Sequence, residues 1–133
     1  MRVEGSCHCG AIRFEAEADP DRVGVCHCTD CQSLTGTAFR TSVPARDGTL
    51  RVIAGEPRVY IKIAANGKRR EQHFCGTCGS PLFTHEEGDL GGWGLRWGAI
   101  RQRDALEPSA SIWLRSAVPW LGRLPDLPGH DRD

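Results

Sequence analysis

Apolar and polar positions alternate along this chain with a period of two. In "AIRFEAEA", Ile12, Phe14, Ala16 and Ala18 fall on one side, with Arg13, Glu15 and Glu17 on the other, as in a half-buried strand. The alternation returns in "AFRTSV" (Phe39, Thr41, Val43), in "RVYIKI" (Val59, Ile61, Ile63) and in "WGLRW" (Trp93, Leu95, Trp97). Turn signals separate these runs. "ANGK" at 65–68 carries Asn66-Gly67, a favoured two-residue hairpin turn, so residues 58–63 and 69–74 are expected to pair antiparallel. "RDGT" at 46–49 marks another turn. "DCQSLTG" alone is capable of a helical turn, which Gly36 would stop. The final stretch, "VPWLGRLPDLPGHDRD", is punctuated by Pro119, Pro125 and Pro128 and reads as an irregular strap over about residues 121–133. The expectation is a mainly β fold with little helix, a single domain over residues 1–133.

A chain of 133 residues can bury one modest core, and a small all-β domain gains from an added cross-link. Seven cysteines point to its nature. An odd number fits a disulfide framework badly. The opening "MRVEGSCHCG" lacks the hydrophobic segment of a signal peptide, and no apolar run approaches the ~20 residues of a membrane span. The setting read from this is cytoplasmic, where thiols stay reduced and close cysteine pairs serve metals. Seventeen basic and seventeen acidic residues, interspersed, leave no basic stripe for nucleic acid and no charged tail. Fifteen of the basic residues are arginine. The bland reading of the four tryptophans is packing in the core or strap.

Structural zinc takes four soft, deprotonated ligands. Cys7 and Cys9 in "SCHCG" are two apart, and on a strand both sulfurs would face one ion. Cys75 and Cys78 in "FCGTCGSPLF" form the other common pincer, with Gly79 allowing a tight knuckle. The two pincers make one complete four-cysteine site. Cys26, Cys28 and Cys31 remain. Three ligands and one open position describe a catalytic zinc site. Other readings of the triplet stay open: His27, His73 or His8 closing the tetrahedron, a redox relay, or a partition in which Cys26 and Cys28 join Cys7 and Cys9. Alternation turns the His27 side chain away from its neighbours' sulfurs, making it a surface residue or one behind the ligands. His73 shares a face with Glu71 and Cys75, which places it near the structural ion; His85 and His130 carry no signal. An open three-thiolate zinc has a net charge of minus one. It would be a weak generator of hydroxide, but would hold an incoming thiol deprotonated and still nucleophilic.

Four segments, "GSCHCGAIRFE", "CHCTDCQSLTG", "FCGTCGSPLF" and "SIWLRSAVPW", resemble in order and spacing the glutathione-dependent formaldehyde-activating (GFA) family, over residues 5–120. The resemblance implies a zinc-bearing β-tent, two antiparallel sheets meeting at an angle. It implies a structural zinc on Cys7, Cys9, Cys75 and Cys78 and a catalytic zinc on Cys26, Cys28 and Cys31. The implied activity joins glutathione and formaldehyde into S-(hydroxymethyl)glutathione, a carbon–sulfur lyase reaction in reverse. Gln72 stands where a basic residue is common in the family, and Ser111 where a histidine is. Glutathione carries two carboxylates, so Arg40, Arg69 and Arg70 are candidate contacts, with Trp93 or Trp97 as an apolar wall. The competing reading is a non-catalytic binding module with two closed metal sites. A third is a redox or zinc-buffering role for the triplet.

Overall fold

The computed structural model describes residues 1–89 and 92–133. Among the described residues ten strands form two sheets: β1 (Arg2–Ser6), β2 (Arg13–Glu17), β3 (Gly24–Cys26), β4 (Arg40–Pro44), β5 (Arg51–Ala54), β6 (Arg58–Ile63), β7 (Arg69–Phe74), β8 (Pro81–Glu86), β9 (Gly94–Arg96) and β10 (Ala110–Ile112). The smaller sheet has the order β1-β2-β5, the larger β10-β3-β4-β9-β8-β7-β6. Isolated bridges pair Gly5 with Ile100 and, just past the ends of β2 and β4, Ala18 with Ala45. The mainly antiparallel β architecture expected from the alternation is present, with one parallel pair, β10 on β3. The single α-helix among the described residues, α1 (Thr29–Thr35), ends at Gly36 as expected.

The core lies between the sheets. Val3, Phe14, Ala16 and Ala18 from the small sheet meet Val43, Leu82, Phe83 and Leu95 from the large one. Phe14 stands edge-on to Phe83, with centroids 5.4 Å apart and planes at 84°. That contact contributes about 1 kcal/mol beyond the area the two rings bury. Trp93 and Trp97 pack against the same cluster, whereas Trp113 and Trp120 are exposed. The apolar period therefore reports burial well for β2. It does so poorly for β6, the outermost strand: Val59 and Ile63 are 47% and 56% exposed because the small sheet does not extend over them.

β6 and β7 pair antiparallel in the expected register, from Arg58–Phe74 to Ile63–Arg69. Their connection differs in detail. The Gly67 amide bonds the Ala64 carbonyl and the Ala64 amide the Lys68 carbonyl, with Gly67 at φ 82°. This is a three-residue loop, a turn followed by a left-handed residue, rather than a two-residue turn. Pro119–Asp126 winds into 3-10 helix, more regular than the strap expected there, before the exposed last residues.

Candidate metal centres

Strand β1 stops at Ser6, so Cys7 and Cys9 do not sit on a strand as the spacing suggested. They sit in a turn closed by the Gly10 amide on the Cys7 carbonyl, at 3.1 Å. The sulfurs still converge, because a turn brings neighbours i and i+2 together as a strand does. Cys75 and Cys78 form the second knuckle. The Gly79 amide bonds the Cys75 carbonyl at 2.8 Å, with Gly79 at φ 77°, where a side chain would be strained. The His8 amide donates to Ser80 Oγ at 2.9 Å and ties the knuckles together. All four sulfurs lie within 4.8 Å of one another. Cys7 Sγ is 3.5 Å from Cys9 Sγ, which is 3.8 Å from Cys75 Sγ. A tetrahedral ion bound at about 2.3 Å separates its sulfur ligands by about 3.8 Å, so the donor set fits one. Backbone amides of Ile12 and Thr77 point at Cys7 and Cys75 sulfur, at 3.3 and 3.4 Å, as thiolates require.

Cys26 ends β3, Cys28 caps the N-terminus of α1, and Cys31 lies in its first turn, its amide 3.3 Å from Cys28 Sγ. Three sulfurs again gather within 4.8 Å, and among the described residues no Cys, His, Asp or Glu donor joins them as a fourth. His27 is buried, with Nε2 3.4 Å from Ser111 Oγ, so it is neither on the surface nor among the gathered donors. Gln32 holds the loop by donating to the carbonyls of His27 and Ser116, at 2.8 and 3.0 Å.

The His73 donor atoms are not among those gathered at the four-sulfur cluster. β7 ends at Phe74 and Cys75 leaves the strand for the knuckle; the β7–β8 register shift beside it makes Leu82 the extra residue of β8. The His73 ring turns instead to Glu71, 2.9 Å away.

Register explains what surrounds the triplet. Cys26 is opposite Arg40, Ser42 opposite Arg96, Thr84 opposite Gly94 and Gln72 opposite Thr84. Directly opposed residues share a sheet face, so Cys26, Arg40, Arg96, Thr84 and Gln72 line one side of the large sheet. Arg40 and Arg96 are buried, and both donate to Gln72 Oε1, at 2.9 and 2.8 Å; Arg96 also reaches Ser42 Oγ at 2.7 Å. Gln72 Nε2 in turn donates to Thr84 Oγ1. Neither guanidinium pairs with a carboxylate among the described residues, and Arg40 Nε is buried with no hydrogen-bond partner there. Burial, then repulsion from Arg40, bring Arg96 down to about 9, still charged at neutral pH, while the sulfurs of Cys31 and Cys26 work the other way. Arg96 had a signal in the sequence: it is the charged, opposite-phase member of "WGLRW". Of the other expected contacts, Arg69 forms an ion pair with Glu87 at 2.5 Å, and Trp93 packs on the core side of the sheet.

A groove of about 930 Å³ opens beside this layer, within the size range of small-molecule sites. Phe39, Arg40, Arg96, Trp97, Arg103 and Thr35 line it together with Cys7 of the four-sulfur cluster, and none of the triplet cysteines is among its lining residues; the Thr35 hydroxyl donates to the Cys31 carbonyl at 2.7 Å.

Without a cation the sulfurs cannot all ionise. Burial, with the pull of Cys28, pushes the Cys31 thiol up to about 12, and burial raises Cys26 as well. In the other cluster the Ser80 hydroxyl brings exposed Cys78 down to about 5. Cys9 stands at about 11, its neighbouring sulfurs outweighing the Ala11 amide. At pH 7 Cys9, Cys26 and Cys31 therefore hold protons that a bound ion must displace. Loading the metal-free protein is expected to release at least two protons at the triplet and at least one at the four-sulfur cluster. Calorimetry in buffers of different ionisation enthalpy measures this; uptake without release would contradict thiolate ligation.

The fold and the two cysteine clusters define a β protein with two sulfur clusters that could hold metal ions, and comparison with known sequences gives its relatives. The profile of the glutathione-dependent formaldehyde-activating enzyme family matches residues 2–116, and the chain belongs to that family. A Halomonas elongata protein named "Putative glutathione-dependent formaldehyde-activating enzyme" is 31% identical over 90 residues, 65% of this chain and 57% of that protein. The chain thus spans a little over half the length of that relative. A crystal structure of a Rhodobacter sphaeroides protein, a structural-genomics target, superposes with a TM-score of 0.62 at 23% identity, covering 81% of this chain and 98% of that one. This second likeness concerns the fold. Among the described residues no helix is long and apolar enough to cross a membrane.

Proposed function

We propose that the chain is a zinc-dependent carbon–sulfur lyase that adds a small thiol such as glutathione to formaldehyde, and catalyses the reverse. In this reading Cys7, Cys9, Cys75 and Cys78 hold a structural zinc, and Cys26, Cys28 and Cys31 a catalytic one. Zinc bound by three thiolates supplies a centre that keeps a thiol deprotonated without making it a poor nucleophile. The remaining work falls to the chain. Arg40 and Arg96 balance the added negative charge of the substrate sulfur. Arg103 and the Trp97 ring, 5.6 Å apart, offer a carboxylate contact and an apolar wall along the groove. The sulfur attacks the formaldehyde carbon as the C=O π pair moves to oxygen. The proton lost by the thiol is replaced from solvent on that oxygen, giving R–S–CH2–OH.

The observation that carries this reading is the layer holding three sulfurs and two buried guanidiniums without a carboxylate, beside a groove of ligand size. A binding module with two closed sites has no use for such a layer. The test follows glutathione–formaldehyde exchange by NMR at catalytic concentrations of the zinc-loaded protein. Acceleration over the spontaneous rate that disappears on chelation supports the proposal; an unchanged rate removes the formaldehyde chemistry.

A further inference from the structure

A third group of donors lies on the face of the large sheet opposite the triplet. Glu71 and His73 alternate on β7, and His85 on β8 is the register partner of Glu71. Glu71 Oε2 lies 2.9 Å from His73 Nε2 and 2.5 Å from His85 Nε2, and one donor atom from each residue lies within 4.8 Å of the others. Aromatic rings fix both imidazoles. Trp93 stacks on His85 with centroids 3.9 Å apart at 34° and stands edge-on to His73 at 5.1 Å, while Phe83 lies 5.1 Å from His73. The group is not sealed: the side chains of Glu71, His73 and His85 keep 23%, 15% and 13% of their accessibility.

The placement of the donors suits a positive centre here. His85 Nδ1 is 3.2 Å from the Asp89 carbonyl oxygen. A carbonyl only accepts, so Nδ1 carries a proton, and Nε2 faces the Glu71 carboxylate. Hydrogen bonds, first from His73 and then from His85, hold the Glu71 carboxyl below its ordinary value against the effect of burial, so it is ionised at neutral pH. A proton between His85 and Glu71 joins that pair alone, whereas a divalent ion would draw on one donor atom from each of the three residues. A carbonyl behind the distal nitrogen is also the arrangement that orients metal-binding histidines. At bond lengths of about 2.1 Å, tetrahedral ligands stand about 3.4 Å apart, so the Glu71 oxygen has to swing by less than about 1 Å to admit the ion.

We propose that Glu71, His73 and His85 form a third, cysteine-free site for a borderline divalent ion such as zinc, cobalt or nickel, with its remaining position open to water. Two nitrogens and one carboxylate oxygen select this class over calcium or magnesium, which prefer all-oxygen shells. The site is independent of the thiol chemistry because it lies on the other side of the sheet and shares no donor with either sulfur cluster.

Zinc chloride titrated at pH 7.5 into protein whose cysteine sites are already zinc-loaded tests the proposal by calorimetry. The wild type is expected to take one further equivalent that Glu71→Gln and His85→Gln both lose, and that Cys31→Ser retains. In the wild type, the imidazole nitrogen resonances of His73 and His85 should shift on saturation, with those of His130 unmoved. Equal equivalents in wild type and both folded variants would overturn the site, as would unshifted His73 and His85 resonances. The resonance measurement decides the matter alone if a variant does not melt cooperatively.

Discussion

Cys78→Ser is expected to abolish cooperative melting at 25 °C, whereas Cys31→Ser melts as a folded domain with one metal ion fewer. The difference comes from where each sulfur sits. Cys7 and Cys75 are members of the hydrophobic core, and the four-sulfur cluster joins the end of β1 to the β7–β8 connection. A structural zinc contributes on the order of 10 kcal/mol in small domains, comparable with the whole stability of a domain this size. Cys31 lies on α1, which buries no residue, so its replacement should cost no more than about 3 kcal/mol. Thermal melts by circular dichroism with metal counts on both variants make the comparison. Collapse of both would mean that the triplet is a second structural site, and the enzymatic reading would fall with it. The same Cys31→Ser protein should show no acceleration of glutathione–formaldehyde exchange.

The second large effect is at Arg96. Three cysteine thiolates and a substrate thiolate bring four negative charges; a divalent ion offsets two, and the guanidiniums of Arg40 and Arg96 the others. Arg96→Met removes one of these counter-charges from a buried layer, where loss of a charge partner costs about 2–5 kcal/mol. A fall in kcat/KM for the thiol of about 100-fold is expected, equivalent to about 2.7 kcal/mol. Stability should hold or rise, since Arg96 is desolvated beside Arg40 and bonds only neutral side chains, Ser42 and Gln72. Arg96→Lys, which keeps the charge without the planar fork, should recover part of the loss. Parallel falls in rate and melting temperature for Arg96→Met would make Arg96 a packing residue and remove it from the substrate argument.

The strands and the sulfur clusters could be read from the sequence because their signals are local. Ile12, Phe14, Ala16 and Ala18 alternate within one strand, and each cysteine group is recognisable from spacing within a few residues. The Arg40–Gln72–Arg96 layer could not be read this way. Its members come from β4, β7 and β9, separated by 32 and 24 residues across the two hydrogen bonds that meet at Gln72. Gln72 and Ser111, the two departures from the family pattern, are both engaged: Gln72 accepts from both arginines and Ser111 faces His27. The gathering of His73 with Glu71 and His85 could not be read for a similar reason: His85 comes from β8, and the pairing that sets it opposite Glu71 is not visible in "EQHFC". β10, only three residues long, has no alternation to detect and becomes a strand through its parallel pairing with β3.

The spans of the two cysteine clusters set an order of assembly. The triplet is complete within residues 26–31, so its sulfurs can meet an ion soon after that segment leaves the ribosome. The other cluster needs partners 66 residues apart, Cys9 and Cys75, and must wait until Cys78 has emerged. During synthesis the early pair Cys7 and Cys9 therefore has only the nearby triplet for company. A nascent chain short of metal risks gathering these five thiols around one ion before the rightful partners exist.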